Sequence, residues 1–105
     1  MIISVFPNLL NNGVEELSRK VFSVFSQLNA DVYVSKSLSK LFADCNVLFD
    51  DDEKIMKMCD VAIAIGGDGT TLSVAKKAAE YDKYILGINA GRLGFMSGIE
   101  QDELD

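Results

Sequence analysis

Histidine is absent from this sequence, and cysteine occurs only twice, at Cys45 and Cys59. Those absences exclude a Cys/His zinc cluster, a Ser-His-Asp triad and a Cys-His nucleophile within the chain. The two cysteines fall in apolar surroundings and read as reduced core thiols of a cytosolic protein rather than as a disulfide. Long hydrophobic runs are missing as well, since none approaches the ~20 apolar residues of a membrane span. The opening Met-Ile-Ile-Ser-Val-Phe lacks the basic flank of a signal peptide. A cytoplasmic protein with no membrane attachment is the expectation. Basic charge is also in deficit: the formal net charge of −6 argues against nucleic acid or an anionic membrane as the main partner. It leaves phosphate ligands open, because these are often held by backbone amides and Mg²⁺.

What is present is the mix of a globular protein, 49% apolar and 25% charged, over 105 residues that suit one small domain. Short apolar runs alternate with amphipathic stretches. Ile2 to Phe6 reads as a strand stopped by Pro7-Asn8. Val14, Leu17, Val21, Val24, Phe25 and Leu28 then recur at helical spacing, with Asn12 and Glu15 placed as a capping pair. Val32 to Val34 is a second strand, Leu38, Leu41 and Phe42 a brief helical turn, and Val47 to Phe49 an apolar stretch of undecided state. Asp50-Asp51-Asp52-Glu53 has the look of a metal site. The preferred reading is the first turn of a helix, where acids complement the dipole and cap free N–H groups.

Val61 to Ile65 is apolar without alternation, the pattern of a parallel strand buried on both faces. Leu72, Ala75, Ala78 and Ala79 are assigned to the inner face of the next helix, starting near Thr71, with Lys76, Lys77 and Glu80 outward. Tyr84 to Ile88 is a further strand ending at Asn89. This order predicts an α/β fold: an open, mostly parallel Rossmann-like sheet of about four strands with helices on both faces. Ligands of such sheets bind outside the carboxyl ends of the strands.

Two segments lie at that edge. Gly66-Gly67-Asp68-Gly69-Thr70 joins the buried strand to a helix. Side-chain-free residues let a ligand reach the backbone, the helix start offers N–H groups to anions, and Asp68 adds a carboxylate. The pattern is that of a polyphosphate site with a built-in base. It is not a P-loop, since no Gly-Lys-Ser/Thr closes it, and no spaced-glycine dinucleotide fingerprint follows the first strand. The second segment, Asn89-Ala90-Gly91-Arg92-Leu93-Gly94-Phe95-Met96-Ser97-Gly98, is a loop by its glycines yet carries Leu93, Phe95 and Met96. From the residues alone these are either core side chains or the wall of a base pocket, and Arg92 is either a phosphate contact or a surface arginine.

Gly-Gly-Asp-Gly-Thr after a buried strand is shared by NAD kinases, diacylglycerol and sphingosine-type lipid kinases, and 6-phosphofructokinases. The block Asn89 to Phe95 resembles the Asn-Thr-Gly-Arg-Leu-Gly-Phe signature of NAD kinases alone. Together they mark a resemblance to NAD kinases that spans the whole chain. It implies transfer of a phosphoryl group from ATP or polyphosphate, with Mg²⁺, to the 2′-hydroxyl of the adenosine ribose of NAD, giving NADP. It implies Asp68 as proton acceptor, and Gly66, Gly67, Asp68, Gly69 and Thr70 as ribose and phosphate contacts. Leu72, Leu93 and Phe95 then form the adenine pocket, with Asn89, Gly91, Arg92 and Gly94 completing the site; no protein-held metal is implied.

The resemblance further implies a homodimer or homotetramer, with residues 1–105 forming an N-terminal α/β domain. Ile99 to Asp105 look like a helix that does not continue, so truncation before an all-β NAD-binding domain is expected, with the fragment inactive alone. Three departures stand against the pattern. Ala90 replaces the usual threonine, Ser73 stands where a basic residue is common, and the Asn-Glu or Asn-Asp pair of the following domain is absent. The alternatives are a lipid or sugar kinase of the same superfamily and a non-catalytic nucleotide-binding module. A receiver-like domain would need an acidic pair where Pro7-Asn8 stands.

Overall fold

The computed structural model describes residues 1–90 and, as backbone, the strand Gly94–Phe95. Among the described residues, six strands and three helices follow in the order β1 (Ile2–Pro7), α1 (Val14–Gln27), β2 (Asp31–Ser35), β3 (Leu48–Asp50), α2 (Asp52–Met58), β4 (Val61–Gly66), α3 (Asp68–Glu80), β5 (Tyr84–Asn89) and β6 (Gly94–Phe95). A 3-10 turn at Lys36–Leu38 lies between β2 and β3. The sheet runs β3-β2-β1-β4-β5-β6. β1 to β5 are mutually parallel and β6 is antiparallel to β5. The Rossmann-like expectation holds, but the strand count rises from about four to five parallel strands plus one short antiparallel strand. The undecided Val47 to Phe49 stretch supplies the extra parallel strand as β3, three residues long at the sheet edge, too short for a period-2 pattern to be read.

Strand β4 sets the layering. Ile63 and Ile65 join Ile3, Val5, Val32, Val34 and Ile88 in the core beneath α1, where Val14, Val21 and Phe22 are buried. Ala62 and Ala64 point the other way, into a thinner core with Met56 and Cys59 at α2 and Val74 and Ala78 of α3. Successive strand residues face opposite sides, so bulky and small side chains divide cleanly between the two faces. The inner stripe of α3 therefore runs through Val74 and Ala78, whereas Leu72 is 66% exposed and Ala79 is also exposed. The expected inner face is thus corrected by a rotation of roughly one residue about the helix axis, ~100°. The β-branched Val74, missed in that reading, fills the space above the two alanines.

Two capping expectations are also corrected. α1 starts after Gly13 at φ 80°, and no side chain caps it. The chain enters the helix through a left-handed residue that suits glycine, so Asn12 and Glu15 do not cap. The acidic run does begin a helix, with Asp52 and Glu53 in the first turn of α2, but Asp51 makes no side-chain cap bond. Its carboxylate is drawn instead to Lys36 at 2.7 Å, while Asp50 pairs with Lys54 and Glu53 with Lys57. Asp50 is held below the ordinary carboxylate range by the N–H of Asp51, then by Lys54. Among the described residues no grouping of acids, cysteines or histidines could hold a metal ion. None of their helices is long and apolar enough to cross a membrane.

The segment between β2 and β3 is fastened by one aromatic. Phe42 is fully buried and meets Phe22 edge-on, centroids 5.0 Å apart. Arg19 stacks over the same ring at 5.3 Å, donates to the Leu41 carbonyl and pairs with Asp44 at 3.0 Å. The cysteines are both free. Cys59 is a core thiol as expected, but Cys45 is half-buried and accepts from the Arg19 guanidinium at 3.3 Å, a more polar setting than the apolar surroundings expected for it. Phe42→Ala should destabilise the chain by about 3–5 kcal/mol, read from urea unfolding. A loss under about 1 kcal/mol would show that this segment is not part of the cooperative core.

Candidate functional site

In this strand order the chain direction across the sheet reverses between β1 and β4, and open α/β sheets bind ligands at the carboxyl side of that switch point. Pro7 and Asn8 leave β1 there, and Gly66 and Gly67 leave β4. The glycine-rich loop therefore follows the fourth strand rather than the first. Gly67, extended at φ −93° and ψ −172°, precedes α3, which begins at Asp68 rather than near Thr71. The N–H groups of Asp68, Gly69 and Thr70 consequently occupy the first turn of a 13-residue helix, where no intrahelical acceptor exists.

The three glycines have different physical reasons. A Cβ on Gly66 would lie 2.6 Å from Thr70 Oγ1, 2.9 Å from Thr70 Cβ and 3.1 Å from Asn8 Cβ. Gly66 is thus required by packing. Among the described residues, a Cβ on Gly67 would meet only Asn11 Nδ2, at 3.8 Å, and one on Gly69 would meet nothing within 4 Å. Those two residues present bare backbone to open space, the property that a ligand's close approach needs.

The two sequence blocks meet. Gly66 lies opposite Asn89 in the β4–β5 register, and the Ala90 N–H donates to the Gly66 carbonyl at 3.0 Å. Asn89 Nδ2 donates to Asp68 Oδ1 at 3.1 Å. Asn89 is buried whereas Asp68 is exposed, so the amide holds one carboxylate oxygen from below and leaves the carboxylate facing outward. Ala90 belongs to the core beneath α1, which is why an apolar methyl is accommodated there. Leu72 stands exposed on the helix that carries Asp68. Gly91, Arg92 and Leu93 lie outside the described residues, as do Met96 to Asp105 with the expected final helix. Gly94 and Phe95 are placed as backbone of β6, opposite Asn89 and Ile88.

On the other side of the loop, a cavity of about 620 Å³ opens between the carboxyl ends of β1 and β2 and the start of α3. Pro7, Asn8, Asn11, Ser35, Ser37, Asp52, Gly67, Gly69, Thr70 and Ser73 supply its polar wall. It runs beside a second cavity of about 360 Å³ between α2 and α3, reached past Asp52 and Ser73 and bordered by Lys77 and Tyr81. The loop thus has two working faces: bare backbone toward the cavity, and the Asp68–Asn89 pair toward β5. Asn8, Asn11, Ser35 and Ser37 had not been singled out from the sequence. The available signal was their position directly after or at the end of parallel strands.

An open parallel sheet with a glycine-acid loop at its switch point, backed by a cavity, defines a Rossmann-like α/β domain with a candidate ligand site at the carboxyl edge. Comparison with known families makes it specific. The ATP-NAD kinase N-terminal domain family matches residues 3–105, and the chain belongs to the NAD kinase family. It is 36% identical over 96 residues to an NAD kinase of Sulfurimonas denitrificans, covering 91% of this chain and 31% of that protein. It is 37% identical over 95 residues to an NAD kinase of Campylobacter jejuni, covering 90% and 32%. A Teredinibacter turnerae NAD kinase is 29% identical over 103 residues, covering 98% and 35%. The chain spans about a third of the length of these relatives.

The glycines separate experimentally. Gly66→Ala should cost about 1–3 kcal/mol in thermal or urea unfolding, because backbone-linked atoms must give way. Gly69→Ala should leave stability unchanged or raise it by up to about 1 kcal/mol. Equal stability of the two variants would contradict the division of roles.

Proposed function

We propose that this chain is the N-terminal α/β part of an enzyme that moves a phosphoryl group from ATP or polyphosphate to the 2′-hydroxyl of the adenosine ribose of NAD, forming NADP. Family membership supports the reaction. The observation that carries the assignment within the chain is the hydrogen bond from Asn89 to Asp68, which joins the two family blocks into one constellation. An alcohol is a weak nucleophile until its proton has somewhere to go. Asp68 has one oxygen engaged by Asn89 and the other free to accept that proton as the new oxygen–phosphorus bond forms. The bond from the transferred phosphorus to the donor's bridging oxygen breaks in the same event, leaving ADP or a shortened polyphosphate.

The donor's phosphates would lie along the cavity face, against Gly67, Gly69 and the N–H groups of the first turn of α3. The acceptor ribose would lie on the Asp68 face, with Leu72, Leu93 and Phe95 against the adenine, and Asn89, Gly91, Arg92 and Gly94 shaping the loop. Among the described residues no lysine or arginine lines the larger cavity. The donor set is instead carboxylate and hydroxyl oxygen, which suits Mg²⁺ arriving on the phosphates rather than a resident metal. Asp52 is the carboxylate in the cavity wall nearest that role, and the ion would neutralise phosphate charge.

Relatives about three times longer support a larger enzyme; in this reading an all-β domain supplies the rest of the NAD pocket, in a cytoplasmic homodimer or homotetramer. Asp68 is exposed here, and a base exposed to water orients a hydroxyl poorly; the 105-residue chain alone is therefore inactive in this reading. In the full-length protein, Asp68→Asn should lower NADP formation by about 10²–10⁴-fold while NAD affinity changes by less than about threefold, since shape and hydrogen-bonding capacity are largely kept. Unchanged turnover would remove Asp68 as the base.

A further inference from the structure

Asn8 looks in sequence like a strand stop, but it is tied at four atoms, its carbonyl accepting from the Asn11 N–H at 3.1 Å. Its backbone N–H donates to the Ile65 carbonyl at 2.8 Å. Its Oδ1 accepts from the Leu10 N–H at 3.1 Å, and its Nδ2 donates to Thr70 Oγ1 at 3.0 Å. A backbone N–H can only donate, so the side-chain atom facing Leu10 must be the oxygen. The amide nitrogen is then left facing Thr70. That nitrogen has no lone pair to offer, so Thr70 Oγ1 is the acceptor in this pair and its single proton must point elsewhere.

Asn8 and Thr70 both line the larger cavity beside Gly67 and Gly69. Thr70 cannot retreat toward the sheet, because it occupies the space that a side chain on residue 66 would need. We propose that Asn8 is a positioning residue of the phosphate site: it locks Thr70 in place and makes its hydroxyl a hydrogen-bond donor toward the cavity. A donor there matches acceptor-only oxygens such as those of a polyphosphate. The proposal rests on the functional reading above for its ligand, though not for its geometry.

The test uses the full-length protein with Asn8→Ala, Thr70→Val, Thr70→Ser and the Asn8→Ala/Thr70→Val double variant. Asn8→Ala and Thr70→Val should each raise KM for ATP about five- to tenfold, the size of one lost hydrogen bond. The kcat should change less than about twofold if the bond acts on binding alone. Thr70→Ser should restore KM to within about twofold of the parent. The double variant should be no worse than the poorer single variant by more than about twofold, because both substitutions remove the same interaction. Multiplied effects in the double variant, or an Asn8→Ala KM within twofold of the parent, would overturn the proposal. If Asn8→Ala fails to fold, Thr70→Val decides alone, since it leaves the Ile65 and Leu10 bonds of Asn8 intact.

Amide exchange of the ligand-free protein gives a second readout. The Thr71 N–H, which donates to the Gly67 carbonyl at 3.2 Å, should exchange about fivefold faster in Asn8→Ala, by the same bond energy. Unchanged exchange would overturn the positioning role. Should the parent protein neither bind ATP nor phosphorylate NAD, the functional reading falls and the phosphate-matching half of this proposal with it, while exchange still decides the positioning half.

Discussion

The contact on which the site depends is the one between residue 66 and Thr70. Where β4 ends, the chain must turn from a buried strand into a helix within two residues, and Thr70 packs back against the strand end so closely that no side chain fits at Gly66. That closeness brings Thr70 within reach of Asn8 at the end of β1. It also sets the start of α3 so that Asp68 meets Asn89 at the end of β5. Three neighbouring parallel strands are thus linked at their carboxyl ends through one helical turn. The sheet supplies the spacing, and the glycine permits the turn.

Much of this arrangement is legible in the sequence, for stated reasons. The continuous apolar run of β4 identifies a strand buried on both faces, and the glycine-acid loop after it falls at the edge where open sheets bind ligands. The contact between Asp68 and Asn89 is not legible, because it depends on which residue of β5 lies opposite Gly66, a matter of register. The rotation of α3 escaped for a similar reason. Leu72 is the most apolar residue near the helix start, but the two alanines of β4 select Val74. Strand β3 was hidden by its length, and Asn8 by its neighbour Pro7, which made the pair look like simple punctuation. The glycine pattern alone points to ligand approach at Gly66, whereas its nearest neighbours assign it to packing.

Charge follows a different logic from shape. The chain is acidic overall, and its ion pairs at Lys36, Lys54 and Lys57 neutralise the Asp50 to Glu53 run rather than facing the loop. Among the described residues, positive potential at the loop therefore comes chiefly from the oriented N–H groups of α3, which act within about one turn of the helix end. Such a field is local and fixed in direction. It selects a ligand that can bring its anionic oxygens close to bare backbone, and it does little for a large polyanion held at a distance.

The bond between Asn8 and Thr70 spans 62 positions of sequence, and β1 acquires its β4 neighbour only after the helix and strands between them have been formed or set aside. Parallel pairings of such separation are slow to close, because the loop entropy is lost before the contacts return it. During synthesis, β1 and β2 can pair early, yet one edge of β1 stays vacant until Val61–Gly66 has been made. The glycine-acid loop is then among the last of the described features to acquire its shape. A nascent chain cannot present this edge in its final shape before nearly the whole parallel sheet exists, so an ordered loop reports that β1, β4 and β5 have already paired.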